Sequence, residues 1–287
     1  MTLDVLAERR AGYARVMVKA AEAENPALEA AFAAVRREDF MTPGPWTLFR
    51  VPGGPETLAQ NDPALLYPQE AAPEVLVVLD AASGINNGSP TLHARMMQNL
   101  GVRRGDRVLH LGAGTGYYSA ILAELVGPQG AVTAVEFTPH LAALAQANLA
   151  PWPWVRAVQG DAADFPTEQV DRIYVNFAVA DPADAWFDQL GEGGTLVFPL
   201  GLAFQRGAVL CITRQGAGFA ARHICPCGFV GAAGRLAGDA EHQRHLAAAL
   251  EAGGIADLAS LHRPPARPAQ AWLRSPRWTL SPEPPTA

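Results

Sequence analysis

From Val108 to Gly127 the chain reads VLHLGAGTGYYSAILAELVG: a hydrophobic strand, a turn carrying Gly112, Gly114 and Gly116, then a helix. Glu136 follows twenty residues beyond Gly116, directly after a second apolar run, AVTAV. Glycines at a strand end let a ligand approach the main chain, and the helix starting there offers N–H groups with no intrahelical partner. An acidic residue closing the next strand can accept both hydroxyls of a ribose. Together these residues support recognition of a nucleoside, and their spacing narrows the kind. A dinucleotide turn reads G-x-G-x-x-G so that a pyrophosphate rests on the helix N-terminus, whereas here the order is G-x-G-x-G. The turn also lacks the GK[ST] lysine, which excludes a phosphate-gripping P-loop.

Positioning these residues takes a sheet. A third apolar stretch, WVRAVQGDAADF, runs into Gly160-Asp161-Ala162, and a fourth, Val170–Val179, reads VDRIYVNFAV. A helical stretch around Trp186–Leu190 and then GGTLVFPLG follow. Strands alternating with helices argue for a parallel, doubly wound α/β sheet, whose ligands collect at the carboxyl ends of its strands. Those ends are Gly112–Gly116, Glu136, Asp161 and Asn176, so four segments are expected to converge on one crevice. Asp161 reads either as an adenine contact or as a solvated turn aspartate; its place at a strand end favours the former.

The G-x-G-x-G turn with Glu136 resembles the first two motifs of class I methyltransferases, which bind S-adenosylmethionine (SAM). Three further stretches resemble the protein-L-isoaspartate O-methyltransferase family. VDRIYVNFAVADPADAWFDQLGEGGTLVFPLG looks like that family's D-x-I-x-V run leading to GG-x-L-V-x-P-x-G. ALEAAFAAVRREDFMTP resembles its opening, with a V-x-R-x-x-F-x-P pattern, and CPCGFVGAAG sits where its last core strand lies. The likeness covers roughly Tyr13 to Arg235. It implies a Rossmann-like sheet with an N-terminal cap and a reversed final strand pair. It also implies SAM held by Asn87, Gly88, Gly112, Gly114, Thr115, Gly116, Glu136, Phe137, Asp161, Ala162 and Asn176.

One segment departs from the family. Its members carry Thr-Ile-Ser-x-Pro before the glycine-rich strand, continued in eukaryotic members by Pro-His-Met-His-Ala. Here the segment is INNGSPTLHARMM, and alignment on Pro90 puts Thr, Ile and Ser on Asn86, Asn87 and Gly88. Pro90, His93 and Ala94 match the eukaryotic pattern, while the hydroxyl side chains are gone. Ser89 is one residue away and stands in only if the loop shifts. His93 reads as a contact to the cofactor carboxylate, as a base, or as a packed residue at a helix start. His110, where many methyltransferases have an acid, reads as a neutral acceptor or as a histidine facing the next strand.

Methyl transfer from a sulfonium is an in-line displacement, so the protein mainly positions the acceptor and excludes water. A carboxylate acceptor, with a reference pKa of roughly 4, is already ionised and needs no base. A phenol or amine must first lose a proton. With Glu136 and Asp161 assigned to the cofactor, only His93, with Ser89 beside it, is left as a candidate catalytic residue, and that scarcity favours carboxyl methylation of a peptide or protein. A small-molecule methyltransferase with a remodelled acceptor loop is the alternative, and a non-catalytic SAM-binding protein is a third reading. The intact turn and Glu136 argue against the third.

Composition narrows the remaining classes. The chain has 287 residues, 49% hydrophobic and 17% charged, which suits one large α/β unit with additions. A net charge of −6 and no Lys/Arg cluster beyond short pairs disfavour a nucleic-acid partner. No apolar run approaches the roughly 20 residues a bilayer requires, and the first segment lacks a signal-peptide core, so no membrane association and a cytoplasmic location are expected. Cys211, Cys225 and Cys227 form no four-ligand set, so no metal is expected. An acceptor carboxylate calls for a local arginine, with Arg95, Arg206 and Arg222 as candidates.

The expected organisation is a helical cap and loop (1–75), a SAM-binding core (76–235) and a C-terminal helix and extension (236–287). In the cap, Val16, Ala20 and Ala21 are placed on one buried helix face, and 41–63 reads as Pro/Gly-rich loop before an apolar strand pair. Asp239 can cap a helix that Gly253 and Gly254 stop. Trp272 and Trp278 read as packing on the core or as a partner surface, and SPEPPTA reads as disordered.

Overall fold

The computed structural model describes residues 3–285. Helices α1 (Leu3–Ala20) and α2 (Pro26–Ala34) precede strands β1 (Thr47–Val51), β2 (Pro55–Thr57), β3 (Glu74–Asp80) and β4 (Ile85–Asn86). Helix α3 (Pro90–Leu100) leads to β5 (Arg107–Leu111), α4 (Tyr117–Val126), β6 (Ala131–Glu136), α5 (Pro139–Asn148) and β7 (Val155–Gln159). Next come β8 (Val170–Val175), α6 (Asp184–Asp188), β9 (Leu190–Leu200), β10 (Gly207–Gln215) and β11 (Gly218–Cys227). Helix α7 (Ala240–Ala252) and three short strands, β12 (Ser260–His262), β13 (Leu273–Arg274) and β14 (Thr279–Ser281), complete the chain. These elements divide into two compact units.

The first unit holds the residues up to Gly105 together with Ala113–Gln159. Asn25 caps α2 by accepting the Leu28 N–H, with Pro26 preset for the first helical position. The buried face of α1 is Tyr13, Ala14, Met17 and Val18, continuing to Ala21, while Val16 and Ala20 are only half-buried. The expected stripe was thus rotated, because Tyr13 packs edge-on against Phe32 of α2 and Tyr67 and sets the phase.

Strands β1 to β4 form an antiparallel sheet in the order β2-β1-β3-β4. Along β3, Val75, Val77 and Leu79 are buried in strict alternation, as a one-sided sheet requires. The Pro/Gly-rich stretch expected to be loop therefore carries two strands. In the same unit β6 and β7 run parallel, with Glu136 opposite Gln159, and α4 is buried at nearly every position.

The second unit holds Asp106–Gly112 and the residues from Gly160 onward. Strands β5, β8 and β9 are parallel neighbours, as expected for a doubly wound sheet. Reversal begins at β10, antiparallel to β9, and continues through β11, β12, β14 and β13. The antiparallel part thus extends beyond the expected final pair, because the C-terminal strands add to its edge.

Asp239 caps α7 through the N–H groups of Glu241 and His242. Trp278 is 2% exposed, which settles its packing, and Trp272 donates to the Gly253 carbonyl at 2.7 Å. Part of SPEPPTA is ordered: Ser281 lies in β14, and the Glu283 carboxylate accepts the N–H of Gln270 at 2.9 Å. Residues 286–287 lie outside the described residues. Burial among β-strands pushes the Cys227 thiol up to about 12, with Cys225 adding to it, so it stays a neutral thiol.

Candidate active site

In the first unit the glycine turn and Glu136 meet as the spacing requires. The Glu136 carboxylate accepts the Gly114 N–H at 2.7 Å and the Thr138 N–H at 2.9 Å. Gly114 has φ +57, a left-handed conformation in which a β-carbon would also crowd Leu79. Glu136 is 7% exposed; burial raises its pKa above the ordinary value, and the N–H groups of Thr138 and Gly114 work against that rise. Beside it, Phe137 is 47% exposed, an aromatic face open at the strand end. Gly116 caps α4, whose first N–H groups have no side-chain cap. Thr115 points elsewhere: its hydroxyl donates to the Phe40 carbonyl at 2.6 Å, and it is 2% exposed. Its side chain therefore anchors the turn to the Phe40 carbonyl.

The segment before α3 is held by its own side chains. Asn86 accepts the Gly88 N–H at 2.8 Å, an Asx turn that sets Gly88 at φ +73. Asn87 is 8% exposed, and its Oδ1 accepts the Val77 N–H at 2.8 Å and an Arg37 N–H at 3.2 Å. Its side chain thus splices the loop to β3, a structural use that the cofactor expectation did not include. Ser89 is the N-cap of α3, accepting from Leu92 N–H at 3.1 Å while its own hydroxyl donates to Glu74. The hydroxyl proton is thereby taken by Glu74 and one oxygen lone pair by the helix start. His93 is 1% exposed and stacks on Tyr118 at 3.7 Å between centroids. Of the three readings, this placement supports the packed one. Arg95 turns to the end of α1, donating to the Ala21 carbonyl and pairing with Glu22.

In the second unit, Asp161 caps a 3-10 turn, Ala162–Asp164, by accepting the Ala163 N–H at 2.9 Å. Burial opposes its ionisation, yet the Ala163 N–H and Arg235 hold its carboxyl below the usual range. Arg235 spans the turn, pairing with both Asp161 and Asp164. The Ala162 carbonyl accepts from Trp186 Nε1 at 3.1 Å. At the end of β8 the Asn176 N–H reaches the Leu111 carbonyl at 2.9 Å, and its Oδ1 is buried with no hydrogen-bond partner among the described residues. Gly112 has no room for a β-carbon, which would fall 2.8 Å from the Phe177 ring. His110 is fully buried beside Tyr174, which it faces in register on β8, and burial lowers its pKa to about 3. It is neutral throughout the physiological range and packs against the next strand.

Sequence reasoning did not single out Arg37. This fully buried guanidinium donates to the carbonyls of Leu66 (2.9 Å) and Val75 (2.7 Å) as well as to Asn87. It lies 5.9 Å from the ring centroids of both Tyr13 and Tyr117. The V-x-R pattern contained the signal, since arginine in an otherwise apolar helix end must find partners when buried. Arg235 and Trp186 were missed because their partners are distant in sequence.

Residues 68–237 match the family Protein-L-isoaspartate(D-aspartate) O-methyltransferase (PCMT). A protein-L-isoaspartate O-methyltransferase from Ignicoccus hospitalis is 32% identical over 156 residues, covering 53% of this chain and 74% of its own. Another, from Archaeoglobus fulgidus, is 37% identical over 117 residues, covering 39% of this chain and 54% of its own. The chain thus spans between about half and three quarters of these relatives. Among solved structures, a protein-L-isoaspartate O-methyltransferase superposes with a TM-score of 0.66 at 24% identity, over 79% of this chain and 67% of the other. A Plasmodium falciparum structure described as a member of the same family, in complex with S-adenosyl-L-homocysteine, gives 0.61 at 14% identity, over 78% and 98%. These likenesses confirm the α/β Rossmann-like methyltransferase fold read from the strand and helix alternation. With more than half of its length matched, the chain belongs to the protein-L-isoaspartate O-methyltransferase (PCMT) family.

Proposed function

We propose that the protein is a SAM-dependent methyltransferase that esterifies a carboxylate on a peptide or protein, with isoaspartyl residues as the acceptor class. The observation that carries this reading is the Glu136 carboxylate, fixed at the end of β6 by the Gly114 and Thr138 N–H groups with exposed Phe137 beside it. Those residues fit a nucleoside: Glu136 keeps lone pairs for the ribose hydroxyls, and Phe137 offers a face to the base. In the second unit taken by itself, the buried Asn176 Oδ1 suits an ammonium or amine donor. Asp161 and Ala162 are assigned to the adenine on the strength of their strand-end position. When bound, SAM supplies a methyl group on a sulfonium that an acceptor oxygen displaces in line.

The rest of the mechanism is positioning. An ionised carboxylate needs no proton removed, which agrees with His93 being buried and stacked instead of poised as a base. The test is incubation with labelled SAM and an isoaspartyl peptide, followed by mild base. Label released as volatile methanol supports a carboxyl ester. A base-stable product from a metabolite pool, with none from the peptide, favours the second reading of a small-molecule acceptor. That reading draws on one observation: Gly88, at the position of the family's serine, presents no hydroxyl and is packed by His93.

A further inference from the structure

The C-terminal segment beyond residue 237 lies outside the matched family residues. Besides adding strands to the sheet edge, it directs several polar side chains onto one short stretch of the second unit. Trp278 Nε1 donates to Asp181 at 2.6 Å, and Arg277 pairs with Asp181 at 2.7 Å and with Asp184 at 3.0 Å. Arg263 pairs with Asp184 and Asp188 and lies over the Phe187 ring at 5.7 Å. His242, edge-on to Trp278, reaches the Ala180 carbonyl at 2.9 Å. All these partners belong to α6 or to the segment leading into it. Helix α6 has only five residues and no side-chain N-cap, so it cannot hold its own conformation. From its buried centre, Trp186 donates to the carbonyl of Ala162. An unbroken series of contacts therefore runs from the C-terminal arginines through α6 and Trp186 to the Asp161–Asp164 turn.

We infer that the C-terminal extension is a brace for the base-binding turn, with Arg263 and Arg277 as positioning residues and Trp186 as the connecting strut. The inference rests on the cofactor reading of Asp161 and Ala162 given above. Individually, such part-exposed ion pairs hold little. Their effect here comes from two arginines sharing Asp184 across a helix too short to be stable alone.

The experiment compares the native enzyme with R263Q/R277Q, W186F and the triple variant, each first confirmed folded by thermal unfolding. Trp186→Phe keeps a ring and removes the N–H to Ala162. The brace predicts SAM dissociation constants raised at least about fivefold in R263Q/R277Q, the lower end of common coupling strengths. KM for SAM rises with kcat retained, and W186F adds little on top of the double change. Amide exchange of Ala163 and Asp164 quickens in the same variants. Unchanged SAM affinity or unchanged exchange in folded R263Q/R277Q overturns the inference, as does full additivity with W186F. If the native protein itself binds no SAM, the functional proposal fails, and the exchange measurement alone then decides whether the brace exists.

Discussion

The imidazole of His93 fills the space into which a side chain on Gly88 would grow: an ideal β-carbon there falls 2.2 Å from Nε2 and 2.8 Å from Cδ2. The ring is held face to face with Tyr118, and Gly88 sits at φ +73. Gly88→Ser therefore carries two costs, about 1–2 kcal/mol for left-handed backbone and about 1–3 kcal/mol for displacing a packed ring. Urea unfolding should show a loss of this summed order, with part of it recovered when His93→Ala is added. A serine variant as stable as the native protein would mean that the ring yields freely.

Asn87 sets a second barrier to restoring the family loop. Its Oδ1 serves both the Val77 N–H and the buried Arg37 guanidinium. Asn87→Ala leaves two buried donors short of a partner and should cost about 1–3 kcal/mol. Exchanging Asn86-Asn87-Gly88 for Thr-Ile-Ser combines this loss with the collision at His93. The exchanged protein is therefore expected to unfold at a lower denaturant concentration and to be less active on isoaspartyl peptide than the native protein. Native stability with undiminished activity would contradict both assignments.

The parts of the structure legible in the sequence were those with long, locally written signals. The run from Val108 to Glu136 announced strand, turn, helix and strand because apolar periodicity and glycine placement coincide there; the direct Gly114–Glu136 hydrogen bond was not among those expectations. Strands β1 and β2 were hidden because Pro52, Gly53, Gly54 and Pro55 mask a short hairpin that pairing with β3 stabilises. The side-chain directions of Thr115, Asn87 and Ser89 were illegible for a different reason. Each is settled by a partner from a remote segment, Phe40, Arg37 and Glu74, and a one-dimensional pattern holds no record of such pairings.

Removing the Glu136 side chain tests the nucleoside site directly. Glu136→Ala deletes the acceptor for the ribose hydroxyls and also frees the Gly114 and Thr138 N–H groups. SAM affinity should fall by about 1–3 kcal/mol, roughly five- to 150-fold. Calorimetry on the folded variant measures this. An unchanged dissociation constant would remove Glu136 from the site.

The burial of Glu136 also dictates how binding responds to acid. Desolvation raises its pKa above the ordinary 4.5, opposed only in part by the Thr138 and Gly114 N–H groups. Because the folded pKa lies above the unfolded one, the group favours folding below the unfolded pKa, and that contribution is lost as pH rises through the folded pKa. Ribose hydroxyls donate to the ionised form, so SAM binding pulls the pKa back down. Affinity should therefore weaken as pH falls through the raised value, with proton release on binding in that window. Titrations between about pH 4 and 7 in buffers of different ionisation enthalpy read both quantities. Glu136→Gln, which cannot titrate, should bind more weakly at neutral pH and lose this pH dependence. A native protein whose SAM affinity stays flat across that range would place the ribose away from this carboxylate.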